Sequence, residues 1–160
     1  MDKDIKVSRA MMGAEGFMYA AKCLRDSIYA NGVMLGIYGP AYTANLAFAC
    51  ELYLKQLLTL DNKDVRGHKL LELYGNLNEE YRKDIEKEYI SRCNEFLRER
   101  DVEMRSLEKC LADYNSAFED WRYWYEGGKE SKVMGWYDFH IFIEILRDQI
   151  HLLQNEEVNV

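Results

Sequence analysis

Residues 41–60, AYTANLAFACELYLKQLLTL, are apolar on nearly every side yet hold a glutamate and a lysine one turn apart. At about 100° per residue, a helix here aligns Leu46, Ala47, Cys50, Tyr53, Leu54 and Leu57 along one broad stripe. A second stripe passes through Ala44, Phe48, Glu51, Lys55 and Leu58. A helix with two apolar sides needs neighbours on both, which predicts a central position among other helices. Charge removed from water is costly without a partner, so Glu51 and Lys55 must be matched. Glutamate four residues ahead of lysine is also the favourable order for a pair on one helix.

The same periodicity predicts helices on either side. Residues 7–29 repeat Val7, Ala10, Ala14, Phe17, Ala21, Leu24 and Ile28 at steps of three and four, with Ser8 as a candidate cap. Residues 30–40, ANGVMLGIYGP, read as an apolar, glycine-rich connection lying against the bundle, and Pro40 suits the start of the central helix. After the polar turn DNKDVRG, residues 68–77 read as a short helix burying Leu70, Leu71, Leu73, Tyr74 and Leu77. Asn78 can cap a helix over 79–98, whose first-turn acids suit the positive end of the dipole. That helix has only a thin apolar stripe of Tyr81, Ile85, Tyr89 and Phe96, which predicts a peripheral place and a break near Cys93. A helix over 102–126 would carry Met104, Leu107, Leu111, Tyr114, Phe118, Trp121 and Tyr125, with Arg122 on the same side. Gly127 and Gly128 would end it. The last helix, 136–153, has more apolar residues than one face can hold, so it is sandwiched or forms a subunit interface.

With 160 residues, 48% of them hydrophobic, and one proline, the chain suits a single domain over 1–160 that buries roughly 70% of its unfolded surface. A net charge of −7 argues against an extended DNA-binding surface, while leaving room for a small basic site. No run reaches the ~18 apolar residues of a membrane span. The N-terminal MDKDIKVSRAMMG lacks the apolar core of a signal peptide. Cys23, Cys50, Cys93 and Cys110 are widely spaced, each within a predicted helix, and are expected as free buried thiols in a reduced, cytoplasmic protein. No glycine-rich phosphate loop, HExxH helix or GxSxG elbow is present, and no cofactor is expected. His140, Glu144, Arg147 and His151 share one side of the last helix, but the two histidines stand about three turns apart, too far to ligate one metal.

Two patterns resemble the HEPN superfamily of small prokaryotic helical-bundle domains. ANLAFACELYLKQLL followed by GHKLLELYGNL is similar to its alanine-rich E-x-x-x-K helix and G-H-x-L-x-x-L element. AFEDWRYWYEG is similar to the aromatic F-x-x-W-R-Y-x-Y-E stretch of one branch. The resemblance implies an all-α fold, a four- to five-helix, mostly antiparallel bundle that often dimerises. It further implies roles in RNA cleavage, nucleotide binding, or defence and toxin–antitoxin systems. The catalytic branch carries R-x4-6-H. Here the positions that Arg122 would need, 127, 128 and 129, are Gly, Gly and Lys, and His151 follows Arg147 one residue too closely. Ribonuclease activity of that kind is therefore not expected.

Glu51, Lys55, His68, Arg122 and Tyr123 form the candidate ligand-binding set. In one reading Lys55 and Arg122 hold the phosphate of a nucleotide. In the other, Glu51 holds Arg122 or Lys55 in an internal ion-pair network and His68 fixes the turn. The run Trp121, Tyr123, Trp124, Tyr125, then Trp136 and Tyr137, can stack bases. Helical spacing sends Trp121 and Tyr125 inward, however, which leaves Tyr123 and Trp124 for a partner or dimer surface. The charged run 79–105 is a solvated face or a docking surface. The expected function is a non-catalytic or weakly catalytic HEPN-like protein, homodimeric, that binds a nucleotide, RNA or a protein partner. The alternatives are a ribonuclease with a non-standard site around Arg122 and His68, and a structural interaction module without a ligand.

Overall fold

The computed structural model describes residues 3–117 and 136–158. Among them are six helices, α1 (Lys3–Ala30), α2 (Leu35–Leu60), α3 (Leu70–Gly75), α4 (Glu79–Leu97), α5 (Leu107–Tyr114) and α6 (Trp136–Val158), with a 3₁₀ turn at Gly32–Met34 and no strand. The described residues are therefore all-helical.

The core is arranged about α2, which packs against α1, α3 and α6. Its main stripe, Leu46, Ala47, Cys50, Tyr53, Leu54 and Leu57, is buried throughout. Each large apolar side chain there contributes roughly 2 kcal/mol relative to exposure. On α1, Ala14 and Ala21 are fully buried, and small residues let the two helices approach closely. A Cβ added at Gly13 would stand 3.1 Å from Leu52 Cδ1. Phe17 stacks on Phe48 at 5.0 Å between ring centroids. Glu15 on α1 ties the two neighbours of that seam together: its Oε1 accepts from Tyr53 Oη of α2 at 2.9 Å and from Arg147 Nε of α6 at 2.6 Å.

α6 lies between α2 on one side and α4 and α5 on the other, and its Phe139, Phe142, Ile143, Leu146 and Ile150 are fully buried. Tyr114 of α5 stacks on Phe139. No helix of the described residues is long and apolar enough to cross a membrane.

Several local expectations are corrected. The central helix begins at Leu35, so Pro40 lies inside α2 and not at its start. Residues 32–40 are helical, and only part of this stretch lies against the core: Tyr38 packs on it, while Val33 is 79% and Ile37 63% exposed. Ser8 sits within α1 and caps nothing. Helix α4 runs unbroken through Cys93, which is fully buried in the register Ile85, Tyr89, Cys93, Leu97. Phe96 falls to the side, 37% exposed, and stacks on Tyr137. Residues 101–106 are not helical. Helix α5 starts only after Ser106, whose hydroxyl accepts from Lys109 N and caps the helix. Of the four cysteines, Cys23 is exposed and the other three are buried.

Candidate functional site

Glu51 is the buried acid that the sequence isolates, and the chain returns to it after leaving α2. The return begins with a Schellman turn: Asn62, at φ 55°, donates to Thr59 O, and Lys63 N donates to Leu58 O. Asp64 then accepts from the backbone and side chain of Arg66. Gly67 takes φ +92°, a conformation that a side chain would strain, and the chain swings back toward α2. His68 and Lys69 follow outside any helix, Lys69 in extended backbone, before α3 and not within it as the sequence suggested.

At this corner Glu51 Oε1 accepts from Lys55 Nζ at 2.8 Å and lies 2.9 Å from His68 Nδ1. An ionised carboxylate only accepts, so His68 donates through Nδ1–H. The Glu51 side chain is 9% exposed, that of Lys55 21% and that of His68 74%. His68 thus faces water, Lys55 is partly covered, and the carboxylate is held inside. Lys69 Nζ donates to Ser116 Oγ at 2.8 Å, and Asn115 Oδ1 accepts from Leu71 N at 2.9 Å. Asn115 thereby satisfies one of the first amides of α3 and fixes the end of α5 to it.

These residues border a cleft lined by Ala47, Glu51, His68, Lys69, Tyr114 and Ser116, with about 20 Å³ of free volume. That suffices for a water molecule and is far too small for a nucleobase. Glu51, Lys55 and His68 are therefore brought together; Arg122 and Tyr123 lie outside the described residues, as does most of the aromatic run.

A second ionic cluster went unmarked in the sequence reading. Asp138, in the first turn of α6, is fully buried. Arg105 Nε donates to its Oδ2 at 2.6 Å, Arg105 Nη2 lies 2.6 Å from the same oxygen, and Arg105 Nη1 binds Asp113. Asp138 Oδ1 accepts from Phe139 N. Burial raises the Asp138 carboxyl above its ordinary value, opposed by the Arg105 guanidinium. The one sequence hint was an acid set inside WYDFHIF; its cation sits over thirty residues earlier, in a stretch the periodicity assigns to a helix but the structure leaves irregular.

Burial also raises the thiols of Cys50, Cys93 and Cys110 above the usual value, Cys93 to about 11. Such thiols are poor nucleophiles at neutral pH. Among the described residues no group of three or more His, Cys, Asp or Glu side chains is placed to hold a metal ion; His140 instead pairs with Glu144 at 3.4 Å.

A third feature is a groove of about 590 Å³ between α4 and α6. Its rim includes Glu80, Asp84, Glu88 and Asp148, and Tyr81, Ile145, Leu152 and Leu153 supply its apolar part. The chain matches no protein-family model, no curated protein and no solved structure.

Proposed function

We propose that this chain is a HEPN-like helical bundle that acts without catalysis, by binding a protein partner, in a bacterial defence or toxin–antitoxin setting. The observation that carries this reading is the internal saturation of the polar corner. Glu51 is already matched by Lys55 and His68, and the adjoining cleft has room for water alone. A phosphate entering there would meet the Glu51 carboxylate, which already occupies Lys55 and the His68 N–H. The missing histidine after Arg122 argues in the same direction. Among the three partner classes that the HEPN resemblance implies, nucleotide and RNA both require free basic groups. The overall charge of −7 suits neither.

The test is a pair of measurements on the purified chain. RNA should survive prolonged incubation, and millimolar nucleotide should leave the melting temperature unchanged. A ligand present at a hundred times its Kd would add roughly 2.7 kcal/mol of stability, so binding would be visible. Either RNA cleavage or nucleotide stabilisation would overturn the reading.

A further inference from the structure

The α4–α6 groove is amphipathic in an ordered way. Along α4, Glu80, Asp84 and Glu88 recur every four residues and share one face. Along α6, Ile145, Asp148, Leu152 and Leu153 follow helical spacing on the facing side. One end is closed by Arg92, whose Nε bonds Glu88 and whose Nη2 bonds Asp148, each at 2.8 Å. Toward the other end, Glu80 and Asp84 are exposed and engaged in no ion pair among the described residues. Leu152 is 59% exposed and lines the same groove, next to the partly buried Leu153 and Tyr81.

We propose that this groove receives a basic amphipathic helix of a partner protein. Its apolar side would cover Tyr81, Leu152 and Leu153, and its lysines or arginines would pair with Glu80 and Asp84. The groove has four carboxylates against two cations, Lys87 and Arg92, and Arg92 is already committed. An incoming cation therefore gains attraction without displacing an existing pair. A second copy of this chain is a poorer occupant, because it brings seven negative charges in excess toward an acidic rim. Two facing helices with an apolar floor match the helix-in-groove mode, in which anchors at i, i+3, i+4 and i+7 seat the ligand.

The inference rests on the protein-binding reading above, and its test separates the two. The probe is a synthetic lysine–leucine amphipathic peptide of about 15 residues, long enough to form a helix on binding. A glutamate–leucine peptide of the same pattern is the control. Amide chemical-shift changes on the isotope-labelled chain should be confined to residues 80–92 and 145–153, and only the basic peptide should produce them. The double variant Glu80→Lys/Asp84→Lys should weaken binding at least about tenfold, and circular dichroism should show it still folded and melting slightly below the parent, because Glu80 is a first-turn acid of α4 while neither residue holds an ion pair among the described residues. Leu152→Ser should weaken it as well, and added salt should weaken it further.

Equal binding by the charge-reversed variant, or shifts centred elsewhere, would overturn the groove while leaving the protein-binding reading intact. A concentration-dependent dimer that these variants dissociate, with no peptide binding, would assign the groove to a second copy and overturn the proposal. RNA cleavage or nucleotide stabilisation in the same preparation would overturn the underlying reading.

Discussion

Glu51 and His68 meet at 2.9 Å although seventeen residues separate them. The contact joins the middle of α2 to the segment that enters α3, across a reversal set by Asn62 and Gly67. Lys55 shares the same carboxylate oxygen. The corner works as a clasp: it sets where the chain re-enters the core and, among the described residues, engages the Glu51 carboxylate with both Lys55 and His68.

Replacing Glu51 tests that clasp. On sequence grounds, Glu51→Ala would cost about 3 kcal/mol if the acid balanced a buried cation. Because Lys55 and His68 are partly hydrated, the expected loss is about 2 kcal/mol, close to that of a charged hydrogen bond. His68→Ala should cost less than about 1 kcal/mol, as His68 is largely exposed. Urea denaturation of the two variants measures both values.

Arg105→Ala should be the more damaging change. It leaves Asp138, which has no exposed surface, without its counter-charge, at a cost of about 3 kcal/mol or more. Arg105→Lys should not restore stability, since one ammonium cannot reproduce the fork that reaches Asp138 and Asp113 together. Asp138→Asn should be milder, because an amide oxygen can still accept from Phe139 N. Chemical denaturation of the three variants ranks them.

Pro40→Ala should stabilise the protein by about 2 kcal/mol. Inside α2 the proline lacks the amide that would bond the Gly36 carbonyl, and its ring crowds that turn. A melting temperature that falls on substitution would contradict this.

Thiol chemistry should divide the cysteines. In the folded chain Cys23 alone should react promptly with a thiol reagent at pH 8, and Cys50, Cys93 and Cys110 should react only on unfolding. The same burial makes stability fall in alkali. Cys93 moves from 9.0 to about 11 and Tyr42 from 10.0 to about 12, each raised chiefly by burial. A group with a raised folded-state value keeps its full contribution below its unfolded value and loses it as pH climbs through the folded one. Denaturation midpoints should therefore decline between about pH 9 and 12, with Cys93→Ala flattening the lower part of that slope.

The buried stripe of α2 could be read in advance because a two-sided apolar helix has few places to go. The Asn78 cap was legible for a similar reason, since its side chain accepts from Tyr81 N three residues on. Residues 32–40 look like a connection in sequence because glycine and proline normally interrupt helices, yet α2 extends back through Pro40 to Leu35. The Glu51–Lys55 pair is a local helical spacing and so is visible in sequence. His68 joins it only through a turn whose φ values no periodicity reveals. Arg105 and Asp138 were missed outright, because their meeting depends on how the irregular stretch before α5 is laid against the first turn of α6.

The most direct test of a clasp at Glu51, as opposed to a reactive site, combines RNA integrity with thermal unfolding for the parent chain, Glu51→Gln and Arg122→Ala. The expected result is intact RNA with all three proteins and a lowered melting temperature for Glu51→Gln. Cleavage of RNA by the parent chain that disappears in Arg122→Ala, with its melting curve unchanged, would contradict it.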